Sequence, residues 1–177
     1  MSERYTDTDL EPSEVVEPVA QPLSDLKGKT ILSIDAGEKL GQVDDILIDV
    51  ANMQVAAIVT SLGSLMNKER RILSAADVTT WGRDAVLVKD RSALRVETDV
   101  ADRDKWASTS NRLKGLSIVT TSGNRLGKVD DLVVDAGGRI VAYRVSEGTF
   151  GSRHRDIDAT TTKSIGADAV IVESEGI

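Results

Sequence analysis

The chain has 177 residues with 22 Lys+Arg, 29 Asp+Glu, one His and no Cys, a formal charge of −7. Without cysteine there is no disulfide framework, thiol nucleophile or zinc ribbon, and a single histidine leaves no two-histidine metal motif. No apolar run approaches the roughly 18 residues of a membrane span, and the N-terminus lacks a signal peptide's basic start and apolar stretch, so the expectation is a cytoplasmic protein without a transmembrane segment.

The charge is uneven along the chain. Residues 1–22 hold six acids, one base and all three prolines (Pro12, Pro18, Pro22), with Leu10, Val15, Val16 and Val19 as their sizeable aliphatics. Such a segment reads as a disordered acidic tail, a solvating extension in preference to a docking element. Residues 23–90 hold ten acids and eight bases, and residues 91–177 thirteen of each, so most of the net charge belongs to the tail. The acidity therefore says little about what the remainder binds.

After the tail the chain repeats itself. Leu26-Lys27-Gly28 returns as Leu113-Lys114-Gly115, and Leu40-Gly41-Gln42-Val43-Asp44-Asp45 as Leu126-Gly127-Lys128-Val129-Asp130-Asp131. From Leu40 to Val59, nine of 20 positions are identical to those 86 residues on. The match resumes where Asp84-Ala85-Val86-Leu87-Val88 parallels Asp168-Ala169-Val170-Ile171-Val172. This divides the chain into a tail (1–22), a first repeat (23–90), a charged connector (91–111) and a second repeat (112–177).

In chain order the β-branched runs predict strands at Thr30–Ile34, Val43–Val50, Val55–Ser61, Arg71–Leu73 and Ala85–Val88. Their counterparts are Ser117–Thr121, Val129–Ala136, Ile140–Glu147, Arg155–Ile157 and Ala169–Val172, with Gly- and Asn-containing turns between them. In the connector, residues 100–106 form either a short helix or an irregular segment, and Trp106 is expected to pack it onto a domain. Five or six short strands per copy imply an all-β chain of two small antiparallel barrels in tandem, because closure removes exposed edges. In each copy the inward phase shifts after the Asp pair, from Val43 to Ile46 and Ile48, and from Val129 to Leu132 and Val134. One extra residue there, a β-bulge, accounts for the shift. On the next strand Val55, Ala57 and Val59 are expected to face inward like Val141, Tyr143 and Val145, with Ile58 and Arg144 on the opposite face.

The order Leu-Lys-Gly, small turn, Leu-Gly-x-Val-x-Asp, hydrophobic strand and closing Asp-Ala-Val-(Leu/Ile)-Val resembles the PRC-barrel domain over residues 24–90 and 112–174. That family is named for the photosynthetic reaction centre H subunit and also supplies the C-terminal part of the ribosome-maturation factor M. The resemblance implies two small β-barrels and a docking role, since the family has no known common active site.

Candidate chemistry is sparse. Asp44, Asp45 and Asp49, with Asp130, Asp131 and Asp135, have the wrong spacing for an EF-hand, and along a strand the outer carboxylates stand roughly 16 Å apart. The preferred reading is that one Asp bonds free amides at the turn or bulge while the other is solvated. His154 beside Ser152 and Asp156 does not make a triad, because neighbours on one loop cannot orient one another as base and orienter. The expectation is therefore no catalytic, cofactor-binding or metal-binding residues and no cofactor. Gly41 and Gly127 lie outside any phosphate-loop pattern, and five aromatics without a basic stripe disfavour nucleic acid.

What remains are two loops that carry exposed apolar and basic groups. Leu62, Leu65, Met66, Arg70 and Arg71 in the first copy occupy the same connection as Phe150, Arg153, His154 and Arg155 in the second. They are the candidate partner-binding residues, with at least one loop expected to be solvent-exposed. The leading expectation is a non-enzymatic adaptor that binds another protein, or itself as a homo-oligomer, and peripheral docking on a membrane complex is compatible with it. The alternative, by family analogy, is an RNA- or ribosome-associated assembly factor. The two copies are expected to pack as a pseudo-twofold pair, like a homodimer with its halves fused.

Overall fold

The computed structural model describes residues 20–64, 66–108, 112–147 and 153–174, which form sixteen strands joined by turns and single 3-10 turns. The first repeat contains β2 (Thr30–Ser33), β3 (Lys39–Gln42), β4 (Asp45–Asp49), β5 (Gln54–Leu62), β6 (Glu69–Ser74), β7 (Val78–Trp81) and β8 (Ala85–Val88). The second contains β11 (Ser117–Thr120), β12 (Arg125–Val134), β13 (Ile140–Glu147), β14 (Arg153–Asp158), β15 (Thr162–Ile165) and β16 (Ala169–Val172). Gln21–Pro22 form β1, so these two residues, grouped with the tail on composition, are ordered by pairing; the rest of the expected tail, through Val19, lies outside the described residues. The connector supplies β9 (Leu94–Val96) and β10 (Ala107–Ser108).

Each repeat is a curled sheet. In the second, the order is β14-β13-β12-β11-β16-β15; in the first, the equivalent arrangement is split into β3-β2-β8-β7 and β4-β5-β6. Pairing is antiparallel except for β2 with β8 and β11 with β16, so each barrel contains one parallel pair that the hairpin reading did not anticipate. The sheet ends β6/β7 and β14/β15 are joined by 3-10 turns, Ala75–Asp77 and Ala159–Thr161. The Ser74 and Asp158 side chains accept the free amides of Ala76 and Thr160 at their starts.

The bulge lies where the hydrophobic phase places it. The register slips between Val129 and Asp131, leaving Asp130 as the extra residue, and in the first copy both Asp44 and Asp45 stand opposite Val59. Val43, Ile46 and Ile48, like Val129, Leu132 and Val134, point into the core.

The inward face of the following strand differs from the sequence alignment. Ile48 pairs with Val55 while Val134 pairs with Ile140, because the turn between these strands is one residue shorter in the second copy. Ile58 therefore occupies the place of Tyr143, and Val59 that of Arg144. Ile58 faces the main core, whereas Ala57 and Val59 turn outward with Leu47 and Ile72. In the second copy Tyr143 and Val145 face inward as expected, but Val141 falls at a register shift and Ile140 takes the inward place; the outward place is taken by Arg144, bonded to Asp156.

That outward apolar face of the first copy is covered by the connector. Trp106 and Val100 pack on Leu47, Ala57, Val59 and Ile72, and β9 adds to the edge of β6, pairing Leu94 with Leu73 and Val96 with Arg71. Instead of a helix over residues 100–106 there is one 3-10 turn, Arg103–Lys105, held by Arg103 Nε donating to Glu97 at 2.8 Å.

The two copies are not separate beads. A single core cluster runs from Leu23, Leu26 and Ile31 through Ile58 and Trp81 to Leu132, Tyr143 and Val170. The strand leading into each repeat joins the other repeat's sheet: β1 pairs with β12, and β10 with β4. Between the two shifted turns the Val55 amide donates to Gly138 O at 2.8 Å, and the Ile140 amide donates to Met53 O at 2.9 Å. Gln54 and Arg139 face each other on the pseudo-twofold axis that relates these bonds. Gly138, at φ +78°, lies under the Trp81 ring, where a Cβ would stand 3.3 Å from the indole. The left-handed backbone and the close ring together favour glycine there.

Two outcomes follow. Trp106→Ala uncovers the Leu47/Ile72 face and lowers stability by about 2 kcal/mol in urea unfolding, with new binding of a hydrophobic dye. Thr60 is fully buried, its hydroxyl has no hydrogen-bond partner among the described residues, and the second copy has Val145 in its place. Thr60→Val removes an unsatisfied hydroxyl at nearly constant volume and raises stability by about 1 kcal/mol in the same assay.

Candidate functional site

The acidic motif repeated in each copy is the first place to look for chemistry. Asp45 Oδ2 accepts from Ser108 Oγ at 2.8 Å, and Lys27 Nζ stands 3.1 Å from its Oδ1. Asp131 is buried; its Oδ1 accepts the Leu132 amide at 2.8 Å, its Oδ2 the Ser24 amide at 3.2 Å, and Lys114 lies 3.6 Å away. Ser108 belongs to the strand leading into the second repeat and Ser24 to the turn following β1. Each Asp therefore ties its own barrel to the segment that introduces the other.

Burial alone would raise the Asp45 carboxyl, but the Ser108 hydroxyl, the Ile46 amide and the Lys27 ammonium outweigh it and hold the group below the usual carboxylate range. Asp49 and Asp135 cap their turns: Asp49 receives the Asn52 amide at 3.1 Å, and Asp135 Oδ1 receives those of Gly137 and Arg139 at 2.8 and 2.9 Å. Asp44 and Asp130 are exposed. The carboxylate oxygens thus serve amides, a hydroxyl and ammonium groups, and among the described residues no three His, Asp or Glu side chains converge on a cation site.

His154 does not meet Asp156. Its Nδ1 lies 3.6 Å from Asp130 Oδ2, while Asp156 takes two hydrogen bonds from Arg144 at 2.8 and 2.9 Å. Those bonds hold the Asp156 carboxyl below its ordinary value. Ser152, the remaining member of the apparent triad, lies outside the described residues.

The candidate docking residues fall on equivalent elements in unequal surroundings. In the first copy Leu62 ends β5 opposite Glu69, Met66 is 97% exposed, and Leu65 lies outside the described residues. Arg70 stands 3.7 Å from Glu97 and Arg71 binds Glu69, both beside the connector. In the second copy Arg153, His154 and Arg155 line β14, all exposed, with Arg155 donating to Leu126 O at 3.3 Å; Phe150 lies outside the described residues. The sequence brings the two basic stretches to matching strands but does not show that the connector covers one of them. The alternation Leu94-Arg95-Val96 inside the charged connector was the signal for β9.

A duplicated, mainly antiparallel small barrel with exchanged leading strands and a structural Asp motif defines a class of compact β module. The PRC-barrel domain matches residues 20–95 and 107–176, and the chain belongs to that family. Both matches begin at the exchanged strands. Comparison with curated proteins finds none that matches this chain.

The lowered pKa of Asp45 fixes the sign of a pH effect. The ionised carboxylate is favoured in the folded state, so its contribution is complete above the unfolded value of about 3.9 and fades as pH falls through the lower folded value. Asp45→Asn should cost about 1 kcal/mol at neutral pH and flatten the loss of stability below about pH 4, read by urea unfolding as a function of pH.

Proposed function

We propose that the chain is a non-enzymatic adaptor in which the PRC-barrel repeats, residues 23–90 and 112–177 joined by 91–111, act as one unit that binds another protein through loops and strand edges. The observation that carries this reading is the fate of the chemically capable side chains. Of the repeated carboxylates, Asp45 and Asp131 hold the two copies together and Asp49 and Asp135 cap turns, which leaves the exposed Asp44 and Asp130 without, among the described residues, the surrounding group of acid and base side chains that a catalyst needs. PRC-barrel domains are typically non-catalytic modules, which agrees with it. No helix among the described residues is long and apolar enough to cross a membrane, and a cytoplasmic location is part of the same proposal.

The test is affinity capture with the full chain and with a form beginning at Ala20, followed by re-formation of the complex from purified components. Binding at fixed stoichiometry that survives removal of residues 1–19 supports the reading. Binding confined to the tail, or turnover of a substrate without a partner, contradicts it. Salt-dependent co-sedimentation with ribosomal particles would instead favour the assembly-factor alternative.

A further inference from the structure

The repeats are related by a pseudo-twofold axis, yet one strand edge is treated differently in the two. In the first copy β9 lies along β6, with Leu94 opposite Leu73, Arg95 opposite Ile72 and Val96 opposite Arg71. The next residue, Glu97, reaches Arg70 at 3.7 Å. In the second copy the equivalent strand is β14, with Arg155, Asp156 and Ile157 in place of Arg71, Ile72 and Leu73. Among the described residues β14 is the last strand of its sheet. The covering changes exposure as expected: Ile72 and Leu73 are buried, whereas Asp156 is exposed and Ile157 half-buried.

Beside β14 is a groove of 540 Å³ whose lining combines Leu126, Ile157 and Val172 with polar and charged residues that include Arg155, Asp156, Asp158 and Glu173. Its Ile157 is the counterpart of Leu73, opposite which Leu94 stands in the first copy, where Ala93 and Leu94 pack against the core. A strand edge beside a partly apolar groove is the arrangement that accepts an added strand: main-chain bonds supply affinity and alternate side chains supply selectivity.

We propose that the β14 edge binds an extended peptide of a partner protein by strand addition, with the alternation aliphatic, basic, aliphatic, acidic. The first copy provides the template, and the side chains of β14 give the charge sense. In the β9 register the first aliphatic residue seats at Ile157, Leu126 and Val172. The basic residue stands opposite Asp156, and the acidic residue meets His154 and Arg153. This proposal rests on the adaptor reading and names the surface and the partner's chemistry.

The probe is a labelled peptide with the sequence of residues 92–98, Ser-Ala-Leu-Arg-Val-Glu-Thr, titrated into the full chain. Saturable binding is expected below about 1 mM, with amide shifts in NMR confined to β14, Leu126 and Val172. Replacing the peptide's Arg by Pro, which blocks strand pairing without touching the protein, should abolish binding. The double change Arg153→Glu with His154→Glu, at two exposed positions, should weaken it about tenfold or more.

Absence of saturable binding, shifts located elsewhere, or binding indifferent to the proline peptide would overturn the proposal. Competition by a peptide of residues 1–19 at the same amides would assign the edge to the chain's own tail and likewise overturn it. If the probe fails while the purified partner complex still forms, only this site is wrong; if the partner complex also fails, the adaptor reading falls with it.

Discussion

The rest of the structure depends on a reciprocal exchange of main chain. β1 leaves its own repeat to pair with β12, and β10 does the same on β4, so each barrel is completed by backbone that belongs to the other. Asp45 and Asp131 anchor those segments at the bulges through Ser108 and Ser24. A bulge leaves peptide groups out of register and bends the strand. Here the acidic side chain beside it binds both the local backbone and the incoming strand. The motif that looks most like a reaction centre in the sequence is thus the joint of a fused pseudo-dimer. Each repeat has about 65 residues, near the lower limit at which a hydrophobic core stabilises a domain alone. Sharing one core across the axis relieves that limit.

Within this symmetric frame, one residue of turn length makes the halves unequal. Shortening the turn before β13 moves the strand one place along its neighbour relative to β5, and in a sheet a one-residue shift exchanges faces. The outward positions consequently hold Val59 and Ile72 in the first copy and Arg144 and Asp156 in the second. An apolar outward face needs a cover, and the connector provides it with Val100, Trp106 and β9. The Arg144–Asp156 pair tolerates water. The connector therefore covers the β6 edge of one repeat, while among the described residues no strand pairs with the equivalent β14 edge of the other.

Much of this was legible in the sequence where side chains carry the information. The duplication, the apolar strands and the bulge all follow from hydrophobic phase, because burying Ile46 and Ile48 after Val43 requires an added residue. The strands Lys39–Gln42, Val78–Trp81 and Thr162–Ile165 were not read, since they are polar and exist by pairing with apolar neighbours. The inward face of β5 was misplaced because the identities of Val55, Ala56 and Val59 with residues 86 positions on concealed the shorter turn. The strand exchange left no trace in the sequence, for two residues that bond through backbone carry no side-chain pattern. For the same reason the basic stretches Asn67–Arg71 and Ser152–Arg155 looked equivalent, although among the described residues the connector lies along the strand of the first and not along that of the second.

The most direct test of the fused pair is native-state hydrogen exchange at the amides of Val55 and Ile140, which donate across the axis to Gly138 and Met53. If the exchanged strands and shared core make one cooperative unit, both amides exchange only through global unfolding, at the same free energy as the central strands β5 and β13. Exchange at the rate of exposed turn amides, while the strands of each repeat stay protected, would show two barrels that open apart from one another and would contradict the account.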